Sequence, residues 1–139
     1  MYLDSSVLVK LYVAEVDSAA CSEKISGAPL ASSELAYGEV WAALLAKERG
    51  KEIDLATRHL AWRTFLNDVD DQVLTLFPLD FVMIREANDV MLEVHPHVPL
   101  RTLDAIHLAT FRNVAAGPLF TNDKRMRAAA KYLELPLIE

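Results

Sequence analysis

The chain has 139 residues, a formal charge of −6 at pH 7, 53% apolar residues and one cysteine. That length and apolar content suit a single domain over residues 1–139 with a sizeable core, and exclude a disordered chain. No apolar stretch nears the roughly 20 residues that span a bilayer, Asp4 comes too early for a signal peptide, and the lone Cys21 excludes an internal disulfide or a thiolate metal cluster and reads as a small packing residue. These points fit a cytoplasmic protein with no membrane role. The negative charge argues against tight non-specific binding to nucleic acid by the monomer.

Residues 1–4 are too short to show a period but can begin an edge or central strand. Ser5 and Ser6 are placed to cap a helix from about Ser6 to Val13, with Val7, Leu8, Leu11 and Tyr12 on one face. A second helix is predicted from Ser18 to Ile25, stopping near Gly27. Pro29 to Ala31 reads as a brief strand, after which Ser32, Ser33 and Glu34 open a long helix to about Arg49 that Gly50 can end. Helical spacing of Leu55, His59, Trp62 and Leu66 predicts a helix from Asp54 to about Val69. Val73–Phe77 has β composition and ends at a proline. Helices follow from Asp80 to about Val94 and from Leu103 to about Ala115. Gly117-Pro118 breaks the pattern, Leu119–Thr121 reads as a buried strand, Asp123–Leu133 as a helix, and Leu137-Ile138 as a last short strand. This alternation predicts an α/β fold with a short parallel sheet flanked by helices.

Four acids interrupt otherwise apolar runs: Asp4 after Tyr2-Leu3, Glu39 within Leu35–Trp41, Asp104 within Leu103–Ala109, and Asp123 after Leu119–Asn122. Desolvating an unpaired carboxylate costs on the order of several kcal/mol, and no basic residue in the sequence accompanies each of the four. One economical solution gathers all four around a divalent cation. Asp4 and Asp123 follow strands, whose C-terminal ends form the ligand-binding edge of a parallel sheet. Glu39 and Asp104 lie near the starts of helices. A set of carboxylates without cysteine suits the hard cations Mg²⁺ or Mn²⁺. Such ions bind substrate phosphates and activate water. Each acid also has a plain reading: Asp4, Asp104 and Asp123 as helix-start residues and Glu39 as a solvent-facing one.

His107, three residues beyond Asp104, shares its helix face and reads as a hydrogen-bonded histidine, in the core or behind the site, rather than a ligand. His95 and His97 flank Pro96 as an accessible pair lacking a third ligand. Trp41, Trp62 and Phe65 read as core or dimer contacts. Residues 101–131 carry Arg101, Arg112, Lys124, Arg125, Arg127 and Lys131 against only Asp104 and Asp123, a basic segment in an acidic chain. No glycine-flanked serine elbow and no phosphate-cradling glycine loop is present.

Leu3–Leu11, Ser32-Ser33 with Glu39, Leu100–Ala109 and Phe120–Met126 closely resemble the PIN-domain nucleases, and more narrowly the VapC-type toxins of toxin–antitoxin pairs. The resemblance spans essentially the whole chain. It implies a PIN fold, an Mg²⁺- or Mn²⁺-dependent endoribonuclease, a homodimer, an RNA substrate and a cognate VapB-like antitoxin. By position, Asp4, Glu39, Asp104 and Asp123 match the acidic site, with Asp123 completing it through a second ion or a water. Ser6 and Thr121 match its supporting hydroxyls. Arg101, Lys124 and Arg125 are then the groups expected to steer RNA phosphates. Asn122 stands where some relatives have an acid. Two rival readings follow: a PIN-fold nuclease acting on DNA or in RNA processing without a toxin role, and a catalytically silent scaffold that binds RNA or a partner.

Overall fold

In the computed structural model, which describes residues 1–114 and 117–138, the first strand is only two residues long yet lies at the centre of everything. β1 (Tyr2–Leu3) sits between β2 (Leu30–Ser33) and β4 (Leu119–Phe120), and β3 (Leu74–Phe77) flanks β2 on the far edge. All four strands are parallel, in the order β3-β2-β1-β4. The registers are Tyr2 opposite Ala31 and Leu119, and Leu3 opposite Phe120. Because successive strand residues point to opposite faces, Tyr2 and Leu119 enter one core while Leu3 and Phe120 enter the other.

Two helical layers cover these faces. α1 (Ser5–Tyr12), α2 (Ser18–Ile25), α3 (Leu35–Arg49) and α4 (Leu55–Asp70) bury Val7, Leu8, Val40, Leu44 and Phe65 on the Leu3 side. α5 (Phe81–Val94), α6 (Thr102–Val114) and α7 (Lys124–Tyr132) bury Val90, Leu108, Phe111 and Met126 on the Tyr2 side. The chain steps outward from β1 through β2 to β3, then returns past β1 to β4. With crossovers of one hand, this reversal of direction moves the helices to the opposite face. It also opens a crevice at the strand C-terminal ends between β1 and β4, the place where such sheets bind ligands.

The predicted elements hold, with local shifts. Asp4, rather than Ser5 or Ser6, is the N-cap of α1, accepting from the Val7 N–H at 3.1 Å. Ser32 and Ser33 belong to β2 instead of opening a helix. Ser32 Oγ donates to the Leu3 carbonyl of the adjacent strand at 2.7 Å, which satisfies a hydroxyl in a fully buried position. Asp54, Asp80 and Asp123 cap α4, α5 and α7 with their carboxylates. Gly27 adopts φ +74° just past α2, a left-handed turn that a side chain would strain. Leu137 forms an isolated parallel bridge to Leu119, not a full strand. The expected end of α6 at Ala115 lies outside the described residues. Cys21 is buried in the α1–α4 core.

Candidate active site

The four acids reach the β1–β4 crevice from four elements. Asp4 leaves the C-terminal end of β1 and caps α1. Glu39 stands on the fifth position of α3, which enters the site from the layer on the Leu3 side. Asp104 occupies the first turn of α6, on the other layer. Asp123 follows β4 and caps α7, its Oδ1 accepting from the Arg125 and Met126 N–H groups at 2.8 and 2.9 Å. That cap leaves Oδ2 as the oxygen turned toward the other acids.

Asp4 is the most enclosed, at 3% exposure. Both its oxygens accept from Ser6 Oγ, at 2.8 and 2.9 Å, and Oδ2 also accepts from Thr121 Oγ1 at 2.6 Å. Thr121 in turn accepts from the Asp123 N–H at 3.0 Å, so one buried hydroxyl ties the first and last acids together. Burial pushes the Asp4 carboxyl above its ordinary range, opposed by hydrogen bonds from Thr121 and Ser6, the charge of His107 and the Val7 N–H. Glu39 shifts the other way. Burial raises it, but the hydrogen bond and charge of His107, with help from Ser5 and Arg101, outweigh that and hold it below the ordinary range. Two carboxyls of one site are thus driven apart, a pattern typical of functional clusters.

His107 is 2% exposed and links the layers. Its Nε2 meets Glu39 Oε2 at 2.7 Å and its Nδ1 meets the Tyr2 hydroxyl at 2.9 Å. It therefore stands behind Glu39, a hydrogen-bonded histidine whose partner no spacing in the sequence names. The participation of Tyr2 and Ser5 is not visible in the sequence. The one usable signal for Tyr2 is strand alternation, which points it toward α6.

No base accompanies each of the four acids, but one base, Arg101, serves two of them. Arg101 Nε donates to Asp104 Oδ2 at 2.7 Å, and its Nη2 donates to Asp104 Oδ1 at 3.0 Å and to Asp123 Oδ2 at 2.9 Å. The three-residue spacing to Asp104 on the start of α6 makes this reach possible. Lys124 and Arg125 lie exposed in the first turn of α7, directly after Asp123. Asn122 is exposed, and its N–H approaches Ser6 Oγ at 3.4 Å. His95 is exposed, and His97 stacks on Tyr132 with ring centroids 5.2 Å apart. Phe65 is fully buried within an aromatic cluster with Tyr12, Tyr37 and Trp62. Among the other basic residues, Arg112 pairs with Glu93 and Arg127 donates to the Thr121 and Ile138 carbonyls.

Among the described residues no three His, Cys, Asp or Glu side chains are already grouped as a metal shell. The donor chemistry nonetheless fits a hard cation: the available ligands are carboxylate oxygens backed by hydroxyls, and a guanidinium already lies among them as a cation.

Comparison with known proteins gives a consistent picture. A family model described as "PIN domain" matches residues 1–132. The chain is 39% identical over 141 residues to Ribonuclease VapC46 of Mycobacterium tuberculosis, covering 99% of this chain and 95% of that protein. Its structure is similar to the crystal structure of Mycobacterium tuberculosis VapC20, described as a sarcin-ricin loop cleaving toxin, with a TM-score of 0.69 and 18% identity over 92% of this chain and 93% of that one. At that identity the second likeness speaks for the fold.

Proposed function

The chain belongs to the PIN-domain family, and from that membership we propose that it is the endoribonuclease toxin of a type II toxin–antitoxin pair, cutting RNA phosphodiester bonds at the crevice between β1 and β4. It is a metal-dependent ribonuclease of VapC type. The observation that supports the site assignment is the joining of Asp4, Asp104 and Asp123 through Thr121 and Arg101, with Glu39, held by His107, inside the reach of the same Arg101 charge. We assign Asp4, Glu39, Asp104 and Asp123 to hold the ion, with Mg²⁺ or Mn²⁺ preferred because every ligand is a hard oxygen. Bound there, the ion supplies positive charge to a phosphodiester and orients a water.

The chain's own residues do the rest. Ser6 and Thr121 hold Asp4 in one orientation, and His107 does the same for Glu39. Lys124 and Arg125 line the approach for RNA phosphates, and Arg101 joins them when it is not paired with the acids. The remainder of the chain is acidic, so RNA is drawn to this rim and not to the general surface. A VapB-like antitoxin is the partner that holds the toxin inactive, and a homodimer is part of the same reading. No helix among the described residues is long and apolar enough to cross a membrane.

The test is Asp104→Asn. The substitution keeps the size of the side chain and removes its charge, so cleavage should fall by at least about a hundredfold while circular dichroism stays native. Mapping of new RNA 5′ ends after brief induction, native beside Asp104→Asn, checks this and names the substrate. Equal profiles from two folded proteins would defeat the ribonuclease assignment. They would favour a silent scaffold or a DNA substrate.

A further inference from the structure

Arg101 lies where a phosphate-steering arginine would be of least use. Its guanidinium is turned inward, spanning Asp104 on α6 and Asp123 at the β4–α7 junction, and its charge also reaches Glu39 on α3. Both Asp104 oxygens and the site-facing oxygen of Asp123 accept from it. A divalent ion held by these carboxylates would draw on the same oxygens, so it and the guanidinium compete for them. The side chain is 57% exposed, so its way out to solvent is open. Its anchor immediately before α6 keeps it at the rim after it leaves.

We infer that Arg101 is an internal counter-ion that exchanges with the catalytic metal: it holds the acids together before the ion enters, and entry of the ion releases it toward the RNA. The physical need comes from the acids themselves. Several carboxylates drawn into one crevice repel one another unless a positive charge lies among them. A flexible cation tethered nearby supplies that charge, at the cost of competing with the metal. The released guanidinium is a planar fork matched to a phosphodiester, which lysine is not. Metal loading and the uncovering of a phosphate-binding group become one event, so the ion precedes the RNA. This inference rests on the metal-dependent reading above.

The experiment uses the full chain and two readouts that do not depend on cleavage. The first follows the Arg101 Nε–H resonance by NMR, assigned by its loss in Arg101→Lys, in chelator and then with added Mg²⁺. It should start shifted and protected, and move to the position of a solvated arginine along a saturable Mg²⁺ curve. The second is Mn²⁺ affinity by calorimetry. Arg101→Met should bind about three- to tenfold tighter than the native chain, the range expected when ion pairs no longer have to be broken. Lys124→Met removes the same charge beside the crevice without touching the acids, and should change affinity by clearly less. Saturating metal with an unmoved Arg101 signal would overturn the exchange and leave the nuclease reading standing. Equal gains in Arg101→Met and Lys124→Met would overturn it too, since they would reflect only net charge. If the native chain binds no Mn²⁺ at all, the metal-dependent reading fails, and the inference fails with it.

Discussion

Tyr2, His107 and Glu39 form one hydrogen-bonded line from the sheet interior to the crevice. The Glu39 carboxylate only accepts, so His107 Nε2 must donate to it. At the other ring nitrogen the Tyr2 hydroxyl can donate to a neutral ring or accept from a charged one. The ring therefore keeps its orientation in either state, and Glu39 keeps a fixed carboxylate. Tyr2→Phe leaves that buried nitrogen without its partner, which should cost about 1–3 kcal/mol in denaturant unfolding. Turnover should fall several-fold with little change in KM, since the loss is in the placing of Glu39 and not in RNA contact. On a His107→Gln background the same change should add little, because the line is already broken.

Elements matter here through the faces they pair. α3 carries Glu39, and α1 and α4 pack along it and fix its position. Phe65 of α4 is fully buried, stacked on Trp62 at 5.1 Å and edge-on to Tyr37 and Tyr12 at 5.9 and 5.5 Å. Edge-on and offset aromatic contacts add to the value of the buried area itself. Phe65→Ala should lose about 3–5 kcal/mol of unfolding free energy. Enough of a marginal stability is removed for the yield of active protein to drop even though no catalytic group is touched. Caps tie element to site more directly: Asp4 and Asp123 end the loop before a helix and also face the crevice, so helix starts and candidate ligands are the same side chains.

At the scale of the whole molecule, the acid cluster exists only in the folded chain. Its members are separated by 35, 65 and 19 residues in sequence, so the unfolded chain offers no comparable site. A divalent ion should then stabilise the native state by mass action, about 2.7 kcal/mol at a hundredfold excess over its Kd. Melting curves in Mg²⁺ or Mn²⁺ against chelator should show that upward shift for the native chain and lose most of it in Asp104→Asn. An equal shift in both would place the stabilising ion elsewhere.

Much of this is legible in the sequence. Element order followed from alternating apolar runs and helical spacing, and the parallel sheet from strands separated by helices. The four acids stood out because each breaks an apolar run, and solvation makes an isolated buried charge costly. What remained hidden was pairwise and long-range. The hydroxyls of Ser32 and Ser33 looked like helix openers, because a side chain's local preference is visible in sequence and its cross-strand partner is not. The contact between Tyr2 and His107 joins residues 105 apart, and no spacing rule reaches that far. In the sequence Arg101 is one of three bases expected to steer RNA phosphates. Only the meeting of α6 with the β4–α7 junction sets Asp104 and Asp123 close enough for one guanidinium to bridge them, because electrostatic partners are chosen by distance in space and the fold alone sets that distance.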